Sequence, residues 1–246
     1  MKKLIAALLA LVMVFSLAAC GDKPDDTQTP DEGGSVVTPT ENQEEVQPTE
    51  SEDEQANLPM TDGLTVDALR NYPVTPASQF VYEQCNEGTA MKILSYIGTD
   101  DIVVIPAEID GLPVEQIAIL CFANDSTVRG VLIPESVKEL EETFINNTYI
   151  EIVIAEGAER LGTGLFVYCS SLREVVLGDN LVSIGESVFS GCDSLEKVNI
   201  PASLTEMTEA EAFSTFYGLT NLTIYCEEGS YIEQIAAQFD IPCVYE

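Results

Sequence analysis

The chain has 246 residues, 42 acidic against 10 basic, no histidine and no tryptophan, and a formal charge of −32. A surplus of that size lacks the Lys/Arg clusters that phosphate neutralisation needs, which excludes nucleic acid as a partner and opposes adsorption to an anionic membrane. Without histidine, Ser-His-Asp and Cys-His catalysis and most catalytic zinc sites are also excluded.

Lys2 and Lys3 precede an uncharged run, Leu4 to Ala19, too short for a membrane span and right for the apolar core of an export signal. The run ends Leu17-Ala18-Ala19-Cys20-Gly21 and resembles a bacterial lipobox, so residues 1–19 are read as a lipoprotein signal peptide and Cys20 as the acylated first residue of the mature chain. Two or three acyl chains anchor stably where one is marginal. The expected location is the outer face of the bacterial cell membrane, held by this anchor alone. Residues 20–60 are then a lipidated cysteine and a disordered acidic linker. Clusters such as Glu44-Glu45 and Glu50 to Glu54 repel one another, and too little apolar surface is present to fold. They lack calcium-loop spacing, so the segment reads as a spacer, with a reach from about 35 Å as a neutral coil to about 130 Å stretched.

Residues 61–100 read as an N-terminal cap. Thr65 opens a short helix over Val66 to Tyr72, stopped by Pro73 and Pro76, and the stretches Gln79–Tyr82 and Ala90–Tyr96 form a hairpin around Asn86-Glu87-Gly88.

From residue 101 to 223 the chain repeats itself. Val131-Leu132-Ile133 recurs as Ile152-Val153-Ile154, Val175-Val176-Leu177, Val198-Asn199-Ile200 and Leu222-Thr223-Ile224, at steps of 21, 23, 23 and 24 residues. A second register agrees: Ile117, Leu140, Leu161, Ile184 and Met207 each precede an aromatic, namely Phe122, Phe144, Phe166, Phe189 and Phe213. Two registers with one period predict an α/β solenoid of about five rungs, each burying its apolar side on its neighbours, with a parallel sheet on one side. After it, residues 224–246 read as a closing cap: a strand, a helix from Ser230 through Gln238 with Ile232, Ile235, Ala236 and Phe239 on one face, and an edge strand Cys243–Tyr245.

The order Tyr82, Ile93 to Gly98, Val103-Val104-Ile105-Pro106, Asp110-Gly111-Leu112-Pro113-Val114 and Phe122 resembles the amino-terminal cap and first repeat of BspA-type leucine-rich repeat proteins. Ile224-Tyr225 and Gly229-Ser230-Tyr231 are similar to the closing cap of that family. The resemblance implies a surface or secreted protein attaching to host or neighbouring-cell molecules. The residues themselves mark no cofactor or metal site, and among 42 acidic side chains no carboxylate pair stands out as catalytic, so the expected function is a non-catalytic, monomeric module for an extracellular protein or glycan. The alternative is an envelope scaffold for the cell's own surface partners.

If Val103, Val131, Ile152, Val175, Val198 and Leu222 point inward, the outward row is Val104, Leu132, Val153, Val176, Asn199 and Thr223. Four apolar residues would then form a stripe, with Glu151, Glu174 and Lys197 along one side, as a candidate ligand-binding surface. Two other readings stand beside it: β-branched side chains favour strands for their own sake, or the segment before Gln79 covers them. Cys169 and Cys192 sit three residues after their aromatics and read as buried thiols. Cys226 and Cys243 are the candidate disulfide.

Overall fold

The computed structural model describes residues 63–246; Cys20, the signal and the linker lie outside the described residues. In chain order the elements are helix α1 (Val66–Arg70), strands β1 (Phe80–Cys85), β2 (Ala90–Tyr96), β3 (Ile102–Val104), β4 (Glu108–Ile109), β5 (Leu112–Ile117), β6 (Gly130–Leu132), β7 (Glu139–Leu140), β8 (Ile152–Ala155), β9 (Arg160–Leu161), β10 (Glu174–Leu177), β11 (Ser183–Ile184) and β12 (Lys197–Asn199), helix α2 (Glu209–Phe216), β13 (Thr223–Cys226), helix α3 (Tyr231–Ala236) and β14 (Cys243–Tyr245).

Each repeat contributes one strand to a seven-stranded sheet, ordered β14-β13-β12-β10-β8-β6-β3 and parallel throughout. Its second strand joins a narrower parallel sheet, β11-β9-β7. The hairpin β1–β2 closes the first end, and β2 continues into the stack by pairing in parallel with β5.

Between the two sheets the interior is a column of rings. Phe122, Phe144, Phe166 and Phe189 stack at 5.3, 5.2 and 5.7 Å between centroids, with planes within 20° of parallel. Tyr96 extends the column toward the hairpin, and Phe216 toward the far end at 6.3 Å. Phe216 corrects the sequence expectation: Phe213, three residues earlier, is 55 % exposed. This rung is longer because α2 replaces the usual turn, with Thr208 and Glu211 forming a reciprocal cap at its start.

Three residues beyond each of the first four rings stands a side chain that satisfies backbone groups at the turn. Asp125 accepts from the Thr127 and Val128 amides, and Asn147 accepts from Tyr149 and Ile150 while donating to the Phe122 carbonyl. The Cys169 and Cys192 thiols each donate to a carbonyl of the preceding rung, Phe144 and Phe166, at 3.0 Å. Burial pushes the Cys121 and Cys169 thiols up to about 12 and raises Cys192 as well.

One further expectation is corrected at the C-terminal cap. Helix α3 stops at Ala236 and tightens into a single turn, Ala237–Phe239, while the Ser230 hydroxyl makes no capping hydrogen bond. Cys226 and Cys243 stand as free thiols. The register sets Cys243 opposite Ile224 and Cys226 opposite Tyr245, so the cysteines are diagonal neighbours. Their side chains lie within hydrogen-bonding reach of each other, and burial pushes the Cys243 thiol up to about 11.

Candidate binding surfaces

The strand register moves one member of the expected stripe to the other side of the sheet. Val131 pairs with Val153 and Val153 with Val175, so the inward row is Val103, Val131, Val153, Val175, Val198 and Ile224. Val153 is therefore a core residue, fully buried. The outward rows are Val104, Leu132, Ile154, Val176, Asn199 and Tyr225, and Ile102, Gly130, Ile152, Glu174, Lys197 and Thr223.

Over the first three strands this outward face is closed. Residues 64–72 lie across it as a strap, and Leu64 and Leu69 form a second buried cluster with Ile102, Val104, Ile152 and Ile154, joined by Val66, Tyr72, Leu132 and Val176 at its margin. Gly130 makes room for the strap: a Cβ there would stand 2.7 Å from Leu64 Cδ2. Thr65 caps α1 by accepting from the Ala68 amide at 3.1 Å. Arg70 forms a two-pronged ion pair with Glu156, at 2.7 and 2.8 Å, and the Arg173 guanidinium donates to the Leu64 carbonyl. At the sheet edge, Thr75 exchanges two hydrogen bonds with Val104, which saturates β3. The Arg70 hydrogen bond holds the Glu156 carboxyl below the usual carboxylate range.

The charged residues named beside the stripe are engaged with one another. Glu151 pairs with Arg129 at 2.7 Å and with Arg173 at 3.4 Å, and Lys197 pairs with Glu174 at 3.1 Å while lying 4.6 Å over the Tyr225 ring. Asn199 extends the ladder, since its amide oxygen accepts from the Leu177 amide at 2.7 Å and its nitrogen donates to the Leu177 carbonyl. Of the stripe, Val104 is buried, and Leu132, Val176 and Asn199 are half-buried. It is not a free apolar surface.

An open groove lies on the other side. It has a volume of about 1400 Å³ and runs along β5, β7, β9, β11 and the segment Glu206–Thr208, crossing successive rungs. Its floor is formed by Ile117, Leu140, Leu161, Ile184 and Met207 with Gly162 and Gly185 between them, and its walls carry Lys92, Lys138 and Arg160 against Glu115, Glu139, Glu141, Glu206 and Glu211. Three of the seven Lys and Arg residues in the described part of the chain line this one groove. Arg160 pairs with Glu139 of the neighbouring rung, and Lys138 lies 3.8 Å from Glu159 and donates to the Gly157 carbonyl at 3.3 Å. At one end Asn86, held at φ 50°, donates to Glu115 at 2.6 Å and accepts from Gln116 at 3.1 Å. No aromatic side chain lines the groove. The second register of the repeat marks this floor in the sequence, but the polar residues beside it stand out only once the rungs are stacked.

Among the described residues no set of three or more Cys, Asp or Glu side chains is grouped to hold a metal ion, and no helix is long and apolar enough to cross a membrane.

Residues 107–223 match the model of the BspA type leucine-rich repeat region in six copies. The repeats belong to the BspA-type leucine-rich family. The BspA-type stack is similar to the crystal structure of the Treponema pallidum leucine-rich repeat protein, at 29 % identity and a TM-score of 0.57 over 62 % of this chain and 71 % of that one. It is also similar to a leucine-rich cell surface protein of Faecalibacterium prausnitzii, at 24 % identity and a TM-score of 0.48 over 66 % of this chain and 47 % of that chain, so it spans about half of the latter's length. No curated protein sequence matches the chain.

Proposed function

We propose that the chain is a non-catalytic binding module, exported and tethered through acylated Cys20, whose BspA-type repeats take an extended segment of an extracellular protein in the β7–β9–β11 groove. The groove carries this reading. It crosses consecutive rungs, so a ligand lying along it meets the same floor position every rung, about 4.8 Å apart. Its walls carry both signs, Lys92, Lys138 and Arg160 among five glutamates, which suits a polypeptide of mixed charge and opposes a polyanion. The absence of rings in the lining leaves no stacking surface for a sugar there.

The test is a binding screen of the full mature chain against host matrix proteins, mucins and envelope polymers, repeated with Lys138→Glu/Arg160→Glu and with Thr223→Asp on the open part of the large sheet. A protein ligand should bind the groove variant at least about tenfold more weakly and the sheet variant unchanged. Binding that survives the groove variant and is lost in a folded Thr223→Asp protein would return the site to the large sheet.

A further inference from the structure

Two residues after each ring of the core column the backbone turns left-handed, at Asn124, Asn146, Tyr168, Gly191 and Gly218, with φ of 54°, 57°, 59°, 75° and 89°. Glycine and asparagine take this conformation readily; a bulky aromatic residue does not. The Tyr168 amide donates to the Ser190 carbonyl of the next rung at 2.8 Å, as the equivalent asparagine amides do in theirs, so the backbone turn is held by the stack and the side chain is free to be something other than asparagine. The Tyr168 ring is 60 % exposed, and its hydroxyl makes no hydrogen bond among the described residues. The ring lies down on the next rung instead: a Cβ at Gly191 would come within 2.5 Å of Cδ1 and 3.1 Å of Cε1 of Tyr168. Gly191 is the vacancy that lets the ring rest along the surface rather than project from it.

One rung further on, α2 replaces the turn and presents two more rings. Phe213 and Tyr217, one helical turn apart, are 55 % and 70 % exposed and stack at 4.8 Å with planes 28° apart, while Phe216 between them enters the core. Tyr217 immediately precedes Gly218, the last member of the row that holds Tyr168 and Gly191. The exposed pair thus stands two rungs from Tyr168, about 10 Å along the stack. The surroundings are uncharged or acidic: the intervening rung contributes Ser190, Asp193 and Ser194 around Gly191, and the chain beyond Lys197 contains no Lys or Arg. A sulfated or uronic acid polymer finds no cation here, whereas the apolar C–H face of a neutral pyranose suits a ring held flat, and its hydroxyls suit serine and tyrosine hydroxyls.

We propose that Tyr168, lying on Gly191, and the Phe213–Tyr217 pair form a stacking platform for a neutral oligosaccharide, on a corner of the solenoid separate from the β7–β9–β11 groove. Because the chain has no tryptophan, its ultraviolet emission comes from tyrosine, and binding can be read from it directly. The full mature chain is titrated with cellohexaose, laminarihexaose and hexalysine. A saturable change with one of the neutral hexasaccharides is expected, weakened about tenfold by Tyr217→Ala and by Tyr168→Asn, one aromatic contact each. Tyr168→Asn carries the decisive contrast, since asparagine tolerates the left-handed turn: it should weaken binding while leaving Tm unchanged or higher. Four results overturn the proposal: no saturable response to either oligosaccharide, oligosaccharide binding that survives Tyr168→Asn, a Tm that falls in that variant, or tighter binding of hexalysine that depends on the same rings. None of them bears on the groove, whose ligand is tested by Lys138→Glu/Arg160→Glu.

Discussion

Leu69→Ala tests whether the large sheet is closed by its own N-terminal segment. Leu69 is fully buried, and its side chain meets Leu64, Ile102, Val104, Ile152 and Ile154 rather than the main core. Deleting a buried leucine costs about 2–5 kcal/mol, and the low end applies here because a strap at the surface can settle onto the gap, so about 2–3 kcal/mol is expected. At about 1.4 kcal/mol per decade, the strap should open about 30- to 150-fold more often. Hydrogen exchange reports this at the Leu69 amide, bonded to the Thr65 carbonyl, and at the Thr75 and Val104 pair on the edge of β3. Amides under the far rings, Cys192 and Leu195, should keep their protection. A dye for apolar surface should bind the variant, because Val104, Ile152 and Ile154 become accessible.

The ion pair to Glu156 contributes less than the leucine. Both partners are nearly two-fifths exposed, so Arg70→Ala alone should cost well under 1 kcal/mol. Its pH dependence has a definite sign. The folded carboxyl is held below the ordinary carboxylate range, so its contribution is present above the unfolded value and is lost as pH falls through the folded one. Mild acid should therefore loosen the strap before the rungs. Exchange at Thr75 and Val104 unchanged by Leu69→Ala, or accelerated equally at Cys192, would refute the strap as a separate cover.

Two further predictions concern the stack itself. All six cysteines among the described residues should titrate as free thiols in denaturant, whereas in the folded protein the half-buried Cys85 and Cys243 should react before the four buried ones, and slowly at neutral pH because burial raises both thiols; an intact mass two units low before reduction would contradict the free pair at Cys226 and Cys243. Because burial raises Cys121 and Cys169 from 9.0 to about 12, their contribution is complete below pH 9 and is lost as pH rises toward 12, so alkaline unfolding should begin above pH 9. Asn147→Ala, which strands the Phe122 carbonyl and the Tyr149 and Ile150 amides, should cost about 3 kcal/mol and several degrees of Tm. Cys169→Ala removes one thiol hydrogen bond and should cost about half as much; equal losses in calorimetry would deny Asn147 its structural role.

The period of the repeat was legible in the sequence because each rung must place a ring and a strand against the same features of its neighbours. The facing of β8 was not. Ile152-Val153-Ile154 is apolar at every position, so alternation cannot say which side chain enters the core, and aligning it by its first residue placed Val153 outside. The uniformity was itself the signal. Strands buried on both faces read as continuous apolar runs, whereas strands with one wet face alternate. Ile102 to Ile105 and Ile152 to Ala155 are continuous, and the strap covers them. Lys197-Val198-Asn199 alternates, and its outward face is open. In Glu174 to Leu177 the change occurs within one strand, where Val176 touches the margin of the covered cluster and Glu174 reaches the exposed ion pair with Lys197. The boundary between covered and open sheet is thus written in the strand composition, one rung before Asn199. Phe213 misled for the opposite reason: an exposed ring at the expected spacing stood in for the buried Phe216, because a helix inserted into a rung preserves its anchor in space and moves it in sequence. That same insertion carries Phe213 and Tyr217 to the surface, so the rung that breaks the period is also the one that gains a candidate contact surface.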